Sequence, residues 1–237
     1  MQTETPYWLG ESYSSAINRG DVGMVTRNLM LAEITKAMLV FFFRGKSKCL
    51  DYGGGYGLFV RMMRDKGFDF YWSDSHCENI FAKDFEMIND NEQFDFLTSF
   101  EVFEHLQDPV EEAERMLKHS KNIFFSTELI PASSPKPGEW WYYGLDHGQH
   151  ISFYTKKSLE KLAEKFNLNL YSNGKNIHLI TERKINKLLF KFLSYSQISK
   201  PLNLLFRKKS FLEADHQLVL KRIAALIPEK EKVSRDI

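Results

Sequence analysis

Cysteine is scarce: Cys49 and Cys77 are the only two in 237 residues. Two thiols build neither a disulfide framework nor a four-ligand zinc cluster. Cys49 sits in an apolar run, so a buried thiol is expected. Nothing beside Cys77 would depress its pKa enough to make a nucleophile. Long hydrophobic runs are also missing. The longest, Ala37 to Phe43, is far too short to span a bilayer. The N-terminus, Met1-Gln2-Thr3-Glu4-Thr5, has no secretory hydrophobic core. A cytoplasmic protein is expected. Net charge is nearly absent, formally +1 from 32 basic and 31 acidic residues. Charge therefore names no partner, and nucleic acid is not expected. No internal repeat is present.

Phenylalanine is plentiful, with 20 copies, and the chain is 43% hydrophobic and 27% charged. That is an ordinary globular composition, rich enough in aromatics to fill a core or pocket. The length suits one domain with appendages. Residues 1–45 read as an N-terminal arm and helix. In the arm, Tyr7, Trp8 and Tyr13 are costly to leave in water and could form a lid. Residues 24–43 carry Val25, Leu29, Ile34, Met38 and Phe42 near helical spacing, which predicts a helix on the sheet edge. Residues 46–183 read as an α/β domain, and 184–237 as a basic amphipathic helical extension.

The chain is organised around Cys49-Leu50-Asp51-Tyr52-Gly53-Gly54-Gly55-Tyr56-Gly57. An apolar run ends in an acid, glycines follow, and a helix pattern begins with Phe59, Met62 and Met63 on one side. Gly67 ends that helix. Phe68 to Asp74 is a second, aromatic strand. Strand, helix and strand in so short a span make a right-handed parallel βαβ unit. Residues 75–93 leave room for a reduced helix and a brief strand near Phe85-Glu86-Met87. Phe94 to Phe100 is the next strand. Asp108 is a helix N-cap, with Pro109 in the first turn and Glu111 closing a capping box. Asn122 to Thr127 is a strand, and Thr155 caps another helix with Leu159, Leu162, Ala163 and Phe166 on one face. Leu168 to Tyr171 and Ile177 to Ile180 are joined by a turn at Asn173-Gly174, so they pair antiparallel. Pro201 should split the extension into two helices, and a last helix covers about Glu213 to Leu226.

Glycines at 53, 55 and 57 remove Cβ atoms where a turn is tight and a ligand approaches. A dinucleotide fingerprint, G-x-G-x-x-G, fails at Leu58 when started at Gly53 and at Tyr56 when started at Gly54, which disfavours an NAD-dependent enzyme. Asp51 beside the loop suits a cationic ligand better than a pyrophosphate. Asp74, about 20 residues on, sits where an acid can hold a ribose diol.

These residues, together with Phe94 to Pro109, resemble the small-molecule class I S-adenosylmethionine-dependent methyltransferases, including ubiquinone-biosynthesis types and those of polysaccharide gene clusters. The resemblance covers roughly residues 46–183. It implies a Rossmann-like, doubly wound, seven-stranded sheet, mostly parallel, with an antiparallel last strand. It also implies that the backbone at Gly53, Gly54, Gly55 and Gly57 cradles the amino-acid end of S-adenosylmethionine, beside Asp51. Asp74 then holds the ribose, and Phe100 and Glu101 line the other side. The 75–93 segment has no clear match to the family's adenine-contacting acid.

Methyl transfer needs an acceptor in line and often a base, for which histidine is the natural choice near neutral pH. The loop 131–150 follows a strand and carries Trp140, Trp141, Tyr142, Tyr143, His147 and His150. His150 or His147 is the favoured base, with Trp140, Trp141 and Tyr143 receiving a sugar or ring acceptor. The competing reading is that these histidines only hydrogen-bond the loop to itself. Glu101, Glu104 and His105 form a second cluster, and His105 is a third candidate base. Some relatives of the ubiquinone type bind metal in this stretch. Such a site would suit magnesium better than zinc, but pocket-shaping is the favoured role and no metal is assigned. A non-catalytic S-adenosylmethionine-binding protein is the alternative to an enzyme. The basic, Phe/Leu-rich stretch 184–209 reads as helices packed on the domain, or as a peripheral contact with anionic lipid.

Overall fold

A computed structural model describes residues 21–45, 47–145 and 149–226. The lid residues Tyr7, Trp8 and Tyr13, and His147, lie outside the described residues. The chain runs α1 (Met24–Phe42), β1 (Lys48–Tyr52), α2 (Leu58–Asp65), β2 (Asp69–Ser73), β3 (Phe96–Phe100), α3 (Pro109–His119) and β4 (Asn122–Ser126). It continues with α4 (Lys156–Lys165), β5 (Asn169–Ser172), β6 (Ile177–Thr181), α5 (Lys187–Leu193), α6 (Ser196–Asn203) and α7 (Leu212–Leu226). Short 3-10 turns occupy Phe103–His105 and Trp141–Tyr143.

The sheet has six strands in the order β2-β1-β3-β4-β6-β5. β2, β1, β3 and β4 are parallel, and β6 is antiparallel to both neighbours. The expected seventh strand shrinks to a single bridge between Trp72 and Glu86. No helix forms among 75–93 either. The Asp74 and Asn79 carboxyl and amide oxygens accept from the backbone of His76, Cys77 and Ala82, which favours turns over a helix.

Strand periodicity builds two cores. Cys49, Phe70, Phe96, Phe124 and Leu179 face one layer, with Ile34, Met38 and Leu39 of α1 and Phe59 and Met63 of α2. Leu50, Leu97, Ile123, Phe125 and Ile180 face the other, with Met116 of α3 and Leu159 of α4. Each such side chain, fully buried, contributes about 1.5–3 kcal/mol. The buried side of α1 shares this layer with residues of both the central and the edge strands, Phe96 and Phe124 as well as Phe70 and Tyr171. Its first turns overhang the rim, leaving Val25 and Leu29 exposed. Phe190 and Leu193 of α5 join the α1 layer.

Two local readings change. Asp108 caps α3 through the Val110 and Glu111 amides, but Glu111 pairs with Arg115 at 2.6 Å, so the box does not close. Pro201 lies inside α6. Its missing N–H costs one bond near the helix end, while the break falls at Ser194–Tyr195. There Ser194 Oγ donates to the Phe190 carbonyl and Tyr195 is extended. α7 is pinned by buried Asp215, which accepts from Arg61 and from both Nε and Nη2 of Arg64, each at 2.8 Å.

Candidate active site

The order β2-β1-β3 places the reversal of strand order between β1 and β3, where open α/β sheets form a crevice at the carboxyl ends. A cleft of about 1050 Å³ opens there. Nine carboxylates and two arginines line it, so it favours positive charge.

One end of the cleft is the glycine loop. Gly53 and Gly54 donate to the Ser73 carbonyl at 2.8 and 3.1 Å, tying the loop to the end of β2. Gly57 has φ +83° and starts α2, and a Cβ there would stand 2.5 Å from Asn79 Oδ1. Gly55 is also left-handed, but the space off its Cα is open to 4 Å. Leu58 opens α2 in place of a third fingerprint glycine. Asp51 is 3% exposed and accepts from Thr98 Oγ1 at 2.7 Å. Burial pushes its pKa up to about 7, against the Thr98 bond, and the Asp74 charge adds to the rise.

Asp74 faces the same loop. Oδ2 accepts from Gly55 N at 2.9 Å, and Oδ1 from His76 N and Cys77 N at 2.7 and 2.8 Å. Three of its roughly four acceptor positions are therefore filled. A two-handed grip on a diol requires one backbone donor to let go. Phe100 lines the opposite wall, edge-on to Phe59 and Phe124. Glu101 is left-handed at φ +56°, a strained value for a residue with a Cβ. Its N–H donates to Ser126 Oγ at 2.9 Å, and that hydroxyl donates back to Glu101 Oε1 at 2.5 Å.

The far end is built from the turn 103–105 and the loop before α4. Glu104 is fully buried, and neither carboxylate oxygen has a hydrogen-bond partner among the described residues. Burial, then the Glu101 charge, raises its pKa to about 8, with the Tyr142 and Thr127 hydroxyls opposing. His105 Nδ1 is 3.0 Å from the Gln149 carbonyl, and His150 Nδ1 is 2.6 Å from the Tyr142 carbonyl. A carbonyl only accepts, so each Nδ1 carries a proton, and in the neutral form of either ring the lone pair is then on Nε2. The two rings stack edge-on at 5.0 Å. Ligand atoms of Glu104, His105 and His150 lie within 4.8 Å of one another, a set able to hold a metal ion. Glu101 is outside that set; its carboxylate accepts from Ser126.

The aromatic run is only partly in the cleft. Trp141 and Tyr142 line it, Trp141 being 77% exposed. Trp140 and Tyr143 turn away, contrary to expectation. Both pack on Phe153, and Tyr143 Oη donates to the Pro135 carbonyl at 2.6 Å. A 3-10 turn has three residues per turn, so residues 140 and 143 share one side. Two wall residues had no signal in the sequence. Arg27 of α1 pairs with Asp21 at 2.6 Å and lies 3.8 Å from Glu101. Glu128, raised by burial, accepts from Asn176 at 3.1 Å.

Residues 26–173 match the family described as a methyltransferase domain. Among solved structures, the plantazolicin methyltransferase BpumL, in complex with a pentazolic desmethylPZN analog and SAH, is 14% identical. That match covers 73% of this chain and 90% of BpumL at a TM-score of 0.50. The mitomycin 7-O-methyltransferase MmcR is 16% identical over 76% of this chain and 61% of its own, at 0.46. Magnesium protoporphyrin IX methyltransferase from Synechocystis PCC 6803 is 13% identical over 72% and 93%, at 0.43. No curated protein sequence matches the chain.

Proposed function

The chain belongs to the methyltransferase-domain family of class I S-adenosylmethionine-dependent enzymes, and on that premise we propose that it methylates a small-molecule or glycan-type acceptor at oxygen, with His150 as base. The residues fit the cofactor. Gly55 offers open backbone, the wall is carboxylate-rich, and buried Asp51 gains from an ammonium that restores its charge. S-adenosylmethionine supplies a methyl group already activated on a sulfonium. The Gly53–Gly57 backbone and Asp51 receive its amino-acid end, Asp74 the ribose, and Phe100 and Glu101 bound the other side. Trp141 and Tyr142 offer aromatic faces to the acceptor. His150 Nε2 would take the acceptor hydroxyl's proton as the methyl group exchanges its bond to sulfur for one to that oxygen.

One observation carries the reading: a single cleft runs from the glycine loop to His105 and His150. His105 is the second candidate base, and His147 lies outside the described residues. A binding protein without catalysis is favoured by one feature, since both histidines brace the loop through Nδ1. Calorimetry with S-adenosylmethionine tests the cofactor, and no heat at millimolar ligand would overturn it. Demethylated sugars and phenols then test transfer. Binding without transfer to any acceptor would support the second reading.

A further inference from the structure

The segment after β6 has an unusual outer face. α5 and α6 contact each other, and both pack on α1. Inward, α5 buries Phe190 and Leu193. α6 buries Ser199 and Asn203, and the Asn203 amide donates to the carbonyl and carboxylate of Glu33. The pair is a fixed platform. Outward, the i, i+1, i+4, i+5 positions of α5 are Lys187, Leu188, Lys191 and Phe192, all exposed. Leu188 is 81% and Phe192 53% exposed. At the end of α6, Leu204 and Leu205 are 69% and 76% exposed, and Phe206 lies edge-on to Phe41 of α1. These five large apolar side chains are thus exposed within this one segment, more than scattered surface exposure needs.

Within the segment itself the charge has one sign. No acidic residue occurs from Lys184 to Leu212. Arg183 and Lys208, exposed themselves, donate to the Phe42 and Gly45 carbonyls. Lys184, Lys187, Lys191, Lys200, Arg207 and Lys209 are exposed. An apolar face interleaved with cations resists a second copy of itself, because like charges would meet. A nucleic acid would satisfy the cations and leave the leucines wet. An anionic lipid surface satisfies both, with lysine stems lying along the apolar side chains.

We propose that the outer face of α5 and α6, with Leu204 to Phe206, docks this protein on membranes containing anionic lipid. The cleft stays open in that pose. Met24 and Arg27 line the cleft at one end of α1, and Phe41 meets Phe206 at the other, about 25 Å along the helix. Docking would hold the enzyme beside lipid-borne acceptors without covering its site.

The test is co-sedimentation of the full chain with vesicles of phosphatidylcholine alone, or of equimolar phosphatidylcholine and phosphatidylglycerol. Pelleting is expected only with the anionic vesicles, and it should weaken at high salt. Lys187→Gln with Lys191→Gln should weaken partitioning roughly 25-fold, at about fivefold per lysine. Leu188→Ser with Phe192→Ser should weaken it at unchanged charge. All four side chains are exposed, so circular dichroism and S-adenosylmethionine binding should be unaltered in both variants. No binding to anionic vesicles overturns the proposal. So does binding that survives the Leu188 and Phe192 changes, which would mean adsorption by charge alone. So does a dimer in solution that those changes dissolve.

Discussion

His150 is held by the main chain of Tyr142: its Nδ1 lies 2.6 Å from the Tyr142 carbonyl oxygen. This bond serves both the loop and the proposed base, and one substitution separates the two. Asparagine can place an amide N–H where Nδ1 stands but has no basic nitrogen. His150→Asn should keep the melting temperature and cofactor affinity near wild type and lower kcat about 10²–10⁴-fold. His150→Ala should lose stability as well. If His150→Asn leaves kcat intact, His150 only braces the loop.

Glu104 is a buried acid with orphan oxygens, and its effect on stability has a definite sign. Its pKa is about 8 in the fold against an ordinary 4.5. The folded state therefore binds more protons between those values, and stability falls as pH rises through that window. Asp51, raised to about 7, acts in the same direction. Glu104→Gln should flatten the slope of thermal stability against pH and stabilise the protein at pH near 8 by roughly 1–3 kcal/mol. Differential scanning calorimetry across that range checks it. An unchanged slope would mean Glu104 is ionised throughout.

Asp74 is engaged by three backbone donors before any ligand arrives. Asp74→Ala should remove both the loop anchor and the proposed ribose contact. It should weaken S-adenosylmethionine binding about 10–100-fold, in line with losing one charge-assisted hydrogen bond of roughly 1.5–3 kcal/mol. Calorimetry measures it. Hydrogen exchange at Gly55, His76 and Cys77 should change on cofactor binding in the wild type, because one donor must release.

Asp215 carries the attachment of α7. Burial alone would raise its pKa, but the Arg64 and Arg61 bonds outweigh burial and lower it. Its stabilising contribution is thus present above the ordinary carboxylate range and lost as pH falls. Asp215→Asn leaves Arg64 with Asp69 and the Phe70 carbonyl. The cost should be about 3 kcal/mol, with faster proteolysis near Leu212, read by limited digestion.

The fold was largely legible because its signals are local. An acid and glycines after an apolar run, Asp108-Pro109, Thr155 and Asn173-Gly174 each dictate their own backbone. What failed depended on packing at a distance. Val25 and Leu29 share helical spacing with Ile34, but only the latter is buried. Trp140 to Tyr143 look equivalent in sequence, and a single 3-10 turn sorts them into wall and support. Arg27 enters the cleft from a helix that no motif marks. Glu104 was visible as a residue, but its complete burial beside the Tyr142 and Thr127 hydroxyls was not.

The antiparallel β6 lies between β4 and β5, so β4 pairs with a strand made much later. During synthesis the β4 edge, buried at all five positions in the finished fold, has no partner until Thr181 emerges. At about 5–20 residues per second, that wait lasts roughly 3–12 s. An open apolar edge is an aggregation template. A chain truncated before Ile177 should therefore aggregate on the ribosome or soon after release, and chaperone demand should peak in that interval.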